Sequence, residues 1–115
     1  MQQRSTGLHF QPRQFPRVSL ATDVKVECGT EVFVVRSQEI GAGGMALEDV
    51  GRLGVAQPVR LSFTLSSKIE LTLDAVVWWK RDRRVGIRFD PRDPQCRLIQ
   101  RWVEDQIKLA KTPPV

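Results

Sequence analysis

A chain of 115 residues, 41% hydrophobic and 27% charged, has the length and balance of one globular domain with one core. Its longest apolar run, Ala75 to Trp79, falls far short of the roughly 20 residues a membrane helix needs, and Gly7 to Pro12 holds no apolar block such as a signal peptide requires; a cytoplasmic protein without a membrane span is expected. The net charge of +5 rests on thirteen arginines against five lysines, a bias toward planar guanidinium donors that suits phosphates and guanine edges as well as a solvated basic surface.

Residues 1–12 lack periodicity and carry Arg4 but no acid, so they read as a flexible basic arm ahead of a domain spanning 13–111. From Val18 through Leu20, Val24, Val26 and Cys28 the apolar residues alternate, which predicts one half-buried strand. Gly29-Thr30 supplies a turn, and the β-branched run Glu31 to Ser37 predicts its hairpin partner. Glu39 to Met45 then packs three glycines into Gly41-Ala42-Gly43-Gly44, a loop where backbone is free to take positive φ or approach another group closely. Met45 and Leu47 alternate with Ala46 and Glu48 as a short strand before a Gly/Pro-rich loop, Gly51 to Pro58.

Val59, Leu61, Phe63 and Leu65 face one way and Arg60, Ser62, Thr64 and Ser66 the other, predicting a strand edge-on to solvent on its polar side. Leu71, Leu73, Ala75, Val77 and Trp79 share the core face of the next strand, with Trp78 opposite. Lys80 to Arg84 makes the reversal, and Val85, Ile87 and Phe89 return to the core. Asp93-Pro94 pairs a capping side chain with a proline at the first helical position, and Leu98, Ile99, Trp102, Val103, Gln106, Ile107 and Ala110 follow at helical spacing, predicting a helix over about 93–111. The fold class is therefore mainly β: a small six- or seven-stranded antiparallel barrel, its edges removed by closure, with one C-terminal α-helix.

Several residues bear chemistry. Arg13 and Arg17, in Arg13-Gln14-Phe15-Pro16-Arg17, point to one side of an extended segment, where two forks suit an anion or the O6 and N7 of guanine, or simply a solvated strand entry. Glu39 offers a carboxylate acceptor to the guanine N1 and N2 donors, or is an exposed strand-end acid. Arg81, Arg83, Arg84 and Arg88 with Trp78 fit either a charged hairpin tip or a surface for single-stranded nucleic acid, the less favoured partner. Cys28 and Cys96 stand without a CxxC pair or a histidine set, so neither zinc nor a disulfide framework is supported. His9, the single histidine, lies in the arm, and no nucleophile is set beside a base; no catalysis and no cofactor are expected.

Taken together, these residues resemble the PilZ family of cyclic di-GMP receptors over about residues 11–110. The family's RxxxR motif matches Arg13 and Arg17. Its second motif, Asp or Asn followed by x-Ser-x-x-Gly, aligns with Glu39-Ile40-Gly41-Ala42-Gly43-Gly44, where Glu39 replaces Asp or Asn, Gly41 replaces Ser, and Gly44 is as the family has it. Ala75 to Trp78 and Val85 to Phe89 look like its late hairpin. The resemblance implies a bacterial, non-enzymatic second-messenger receptor of the kind that regulates motility or exopolysaccharide output. It would bind cyclic di-GMP across the outer barrel surface through Arg13, Gln14, Arg17, Glu39, Gly41, Gly43, Gly44 and Trp78, order the N-terminal arm over the ligand and signal to a protein partner. The alternative is an interaction adaptor of the same fold that has lost nucleotide binding.

Overall fold

The computed structural model describes residues 16–111. The arm over 1–12, with His9, and the site candidates Arg13 and Gln14 lie outside the described residues.

Seven strands and a helix follow in chain order: β1 (Arg17–Ser19), β2 (Asp23–Cys28), β3 (Glu31–Gly41), β4 (Gly44–Glu48), β5 (Pro58–Ser66), β6 (Ile69–Arg81), β7 (Arg84–Phe89) and α1 (Gln95–Lys111). All pairings are antiparallel. The sheet runs β1-β3-β2-β5-β6-β7-β4, and β4 pairs back onto β3, so β2 to β7 close a six-stranded barrel with β1 as an extra strand on β3. Closure pairs the backbone that an open sheet would leave exposed at its edges.

The predicted first strand is two strands. Val18 pairs with Ile40 and Asp23 with Arg36, a register that slips by one residue between Leu20 and Thr22. The buried Ser37 hydroxyl holds the slip: Oγ donates to the Leu20 carbonyl and accepts from the Thr22 N–H at 3.0 Å. Apolar alternation persists across the break, which is why spacing alone reads as continuous.

The glycine-rich loop is also shorter than predicted. Glu39, Ile40 and Gly41 belong to β3 and Gly44 opens β4, with Gly41 opposite Gly44, so only Ala42-Gly43 turns. Close approach accounts for Gly44: a Cβ there would stand 2.0 Å from the Ile87 carbonyl oxygen. The β5 strand has β2 on one side and β6 on the other, so its polar face meets solvent while neither of its edges is free.

Alternation in β5, β6 and β7 delivers the core as read: Val59, Leu61, Phe63, Leu65, Leu71, Leu73, Val77, Val85, Ile87 and Phe89 are buried. Trp79 departs from the prediction. A bulge between Val77 and Trp79 inserts Trp78 as an extra residue, so Trp79 stands opposite Gly86 on the outer face instead of in the core. A Cβ at Gly86 would lie 2.1 Å from the Trp79 ring, so the missing side chain is the seat of the indole.

Asp93 caps α1, its Oδ1 accepting from the Gln95 N–H at 2.9 Å, with Pro94 in the first turn as expected. Ile99 and Val103 are buried, and α1 packs its apolar stripe against β1 and β3 beside the partly buried Val18 and Leu20.

Candidate functional site

Residues opposite each other in a ladder share a face, so the registers map the outer surface row by row. One row reads Arg17, Gly41, Gly44, Arg88, Val76 across β1, β3, β4, β7 and β6; the next reads Ser19, Glu39, Ala46, Gly86, Trp79. At the usual spacing of about 4.8 Å between strands, roughly 14 Å separates β1 from β7 along these rows. Glycines and an alanine form the floor, and arginine, glutamate and tryptophan side chains stand at its two sides.

On the β1 side, Arg17 Nη1 donates to Glu39 Oε1 at 3.1 Å, with side chains 20% and 24% exposed. The close seat of Arg17 depends on Gly41, where a Cβ would lie 2.7 Å from the Pro16 carbonyl oxygen and 3.0 Å from Arg17 Cγ. On the β7 side, Arg84 Nη2 approaches the same Glu39 oxygen at 3.6 Å, and its Nε donates to Gln38 Oε1 at 2.6 Å. The Arg81 and Arg84 guanidiniums lie 5.4 and 6.0 Å from the Trp79 ring centroid, and that of Arg88 lies 4.6 Å from Trp78, which is 57% exposed. Such stacking is worth about 0.5–1 kcal/mol at exposed sites and keeps each guanidinium edge available for an anion.

Arg17, Glu39, Gly41 and Gly44 thus converge, with Trp78 at the far side beside Arg88. Gly43 is part of the turn, and its carbonyl accepts from the Phe89 N–H at 3.0 Å, which ties the turn to the end of β7. Gln38 was not read from the sequence as a site residue, and Arg84 was read only with the hairpin arginines, apart from Glu39. No spacing pattern links them, since they meet only when β4 and β7 pair, 46 residues apart in the chain. Four guanidiniums, of Arg17, Arg81, Arg84 and Arg88, against the carboxylates of Glu39 and Glu48 leave this face net cationic, a focus for a compact anion with stacking surfaces.

Among the described residues no group of three or more His, Cys, Asp or Glu side chains could hold a metal ion, and Cys28 and Cys96 are free thiols. Burial, then the nearby Asp93 and Asp90, pushes the Cys96 thiol above its ordinary range, which disfavours the nucleophilic thiolate. No helix among the described residues is long and apolar enough to cross a membrane.

The model of the PilZ domain family matches residues 11–105. No curated protein matches the chain by sequence. Among solved structures, the inhibitor of motility MotI/DgrA of Bacillus subtilis superposes with a TM-score of 0.75 at 21% identity, over 90% of this chain and 54% of that one. YcgR of Escherichia coli in complex with c-di-GMP gives 0.75 at 18% identity over 88% and 48%, and the PilZ domain of YcgR with c-di-GMP gives 0.69 at 17% over 89% and 100%. The chain spans about half the length of MotI/DgrA and of YcgR in that complex.

Proposed function

Because the chain belongs to the PilZ domain family, we propose that it is a cyclic di-GMP receptor and adaptor without catalysis of its own, acting in the bacterial cytoplasm. The observation that carries this reading is the meeting of Arg17, Glu39, Gly41 and Gly44 on one cationic outer face, with Trp78 and Arg88 at its other side. Similar folds have been solved with c-di-GMP, which supports the ligand class.

In this reading Arg17, with Arg13 and Gln14 from the segment preceding β1, clamps phosphate and a guanine edge by bidentate donation. Glu39 accepts from guanine N1 and N2. Gly43 in the turn lets the ligand approach the backbone, while Gly41 and Gly44 make room for the Arg17 seat and the Ile87 carbonyl that shape the site, and Trp78 supplies a stacking face worth about 1–3 kcal/mol per base. Ligand binding orders the N-terminal arm, and the changed surface is offered to a protein partner. Gly41 gives no hydroxyl where the family motif has serine, a loss of about 0.5–1.5 kcal/mol or up to about tenfold in affinity, which weakens binding without abolishing it.

Isothermal titration with cyclic di-GMP tests the reading. Saturable heat is expected for the unaltered protein, weakened at least about tenfold in Arg17→Ala and in Arg13→Ala, consistent with loss of a charge-assisted bidentate contact. The second reading, an interaction adaptor that no longer binds nucleotide, draws on Glu39 already pairing with Arg17 and Arg84; it predicts no heat at high ligand concentration.

A further inference from the structure

One carboxylate oxygen, Glu39 Oε1, serves two arginines that reach it from different strands: Arg17 from β1 at 3.1 Å and Arg84 from β7 at 3.6 Å. Arg84 is aimed there. Its ladder partner is Glu48, yet its Nε turns to Gln38 at 2.6 Å, its terminal nitrogen turns to Glu39, and the plane of Trp79 backs it at 6.0 Å. Between Glu39 and β7 stands β4, whose outward residue in that row is Ala46, followed by Gly86 on β7 itself. A larger residue at 46 would stand in the way. The length of glutamate also matters, since aspartate is one methylene shorter and the contact with Arg84 at 3.6 Å has no slack to lose. Glu39 and Arg84 therefore form an ionic strap across β4, built from residues that depart from the RxxxR and Asp/Asn-x-Ser patterns or lie outside them.

The strap bears on how Arg17 works. Its guanidinium is engaged by Glu39, and a carboxylate only 24% exposed resists losing its counter-charge. Building on the receptor reading, we propose that Arg84 is a positioning residue of the same site, acting through Glu39: it keeps the carboxylate neutralised and drawn toward β7, so that Arg17 exchanges Glu39 for a nucleotide phosphate at low cost. Without Arg84, Glu39 holds Arg17 more tightly and competes with the ligand. With Glu39 neutral, Arg84 keeps its bond to Gln38 but no longer sets how tightly Arg17 is held.

A double-mutant cycle in cyclic di-GMP titration reads this coupling. Arg84→Gln is expected to weaken binding about three- to fivefold when Glu39 is present, and by less than about 1.5-fold in the Glu39→Gln background, with Arg84→Lys recovering most of the affinity. Equal losses in both backgrounds, no loss in either, or no recovery by lysine would overturn the proposal. If the unaltered protein binds no cyclic di-GMP, the receptor reading fails while the strap stays testable without nucleotide. Solvent exchange of the Arg17 Nη protons, followed by NMR, should slow in Arg84→Gln and return in the Glu39→Gln/Arg84→Gln double variant. An unchanged Arg17 signal in Arg84→Gln would remove the strap itself.

Discussion

At the scale of single residues, what this site needs most is the absence of side chains. Gly86 seats the Trp79 indole, which in turn backs Arg81 and Arg84, and through Arg84 reaches Glu39 and Arg17. One methyl group at Gly86 would collide with a ring that already has two guanidiniums stacked near it. Gly86→Ala should therefore cost about 1–3 kcal/mol, the usual penalty for overpacking, measurable in a urea titration. Its second effect separates it from an ordinary core defect. Displacing Trp79 loosens Arg84, so cyclic di-GMP affinity should fall in a protein that remains folded at the assay temperature.

At the scale of elements, the break between β1 and β2 decides where Arg17 points. A strand running unbroken from Val18 to Cys28 would keep one register against β3, whereas the slip by one residue at Leu20 to Thr22 lets Arg17 stand opposite Gly41 while Lys25 still faces Val34. Ser37 stabilises the slip through its bonds to Leu20 and Thr22. Replacing it with alanine leaves the Thr22 N–H and the Leu20 carbonyl short of a partner beside a buried position. A loss of about 1–3 kcal/mol is expected, with faster hydrogen exchange at the Thr22 amide as the local signature. Unchanged exchange there would show that the slip is held by the ladder bonds from Leu20 N–H to Gln38 and from Ser37 N–H to Thr22 alone.

At the scale of the whole molecule, barrel and helix share one core. Ile99 and Val103 join the same buried cluster as Val24, Ile40, Leu61 and Phe89, so α1 is part of the barrel's interior packing. Ile99→Ala should cost about 2–5 kcal/mol, a large fraction of the roughly 5–15 kcal/mol by which such domains are stable. Helix and sheet signals should lose structure in one coincident transition. Two separated transitions would mean that the helix is an appendage. The same packing sets α1 against β1, the strand that carries Arg17, so a loosened helix is expected to weaken ligand binding as well.

Alternation with a period of two marks β5, β6 and β7 because each is buried on one face only, and the Asp93-Pro94 cap marks the start of α1 because its chemistry is local. Arg17 and Glu39 were legible from their resemblance to family motifs, whereas the registers alone bring them onto one face. The bulge at Trp78 had no such signature: one inserted residue reverses the faces that follow it, so Trp79 read as core and lies outside. The glycines announced a turn, yet Gly41 and Gly44 are explained by the backbone pressed against them. What the amino-acid order determined by itself was everything carried by neighbours in the chain: strand periodicity, turns, the cap and the excess of arginine. What only the tertiary structure decided was the partnership of Arg17, Gln38, Glu39 and Arg84, because ladder register and barrel closure set those distances and neither is encoded at short range.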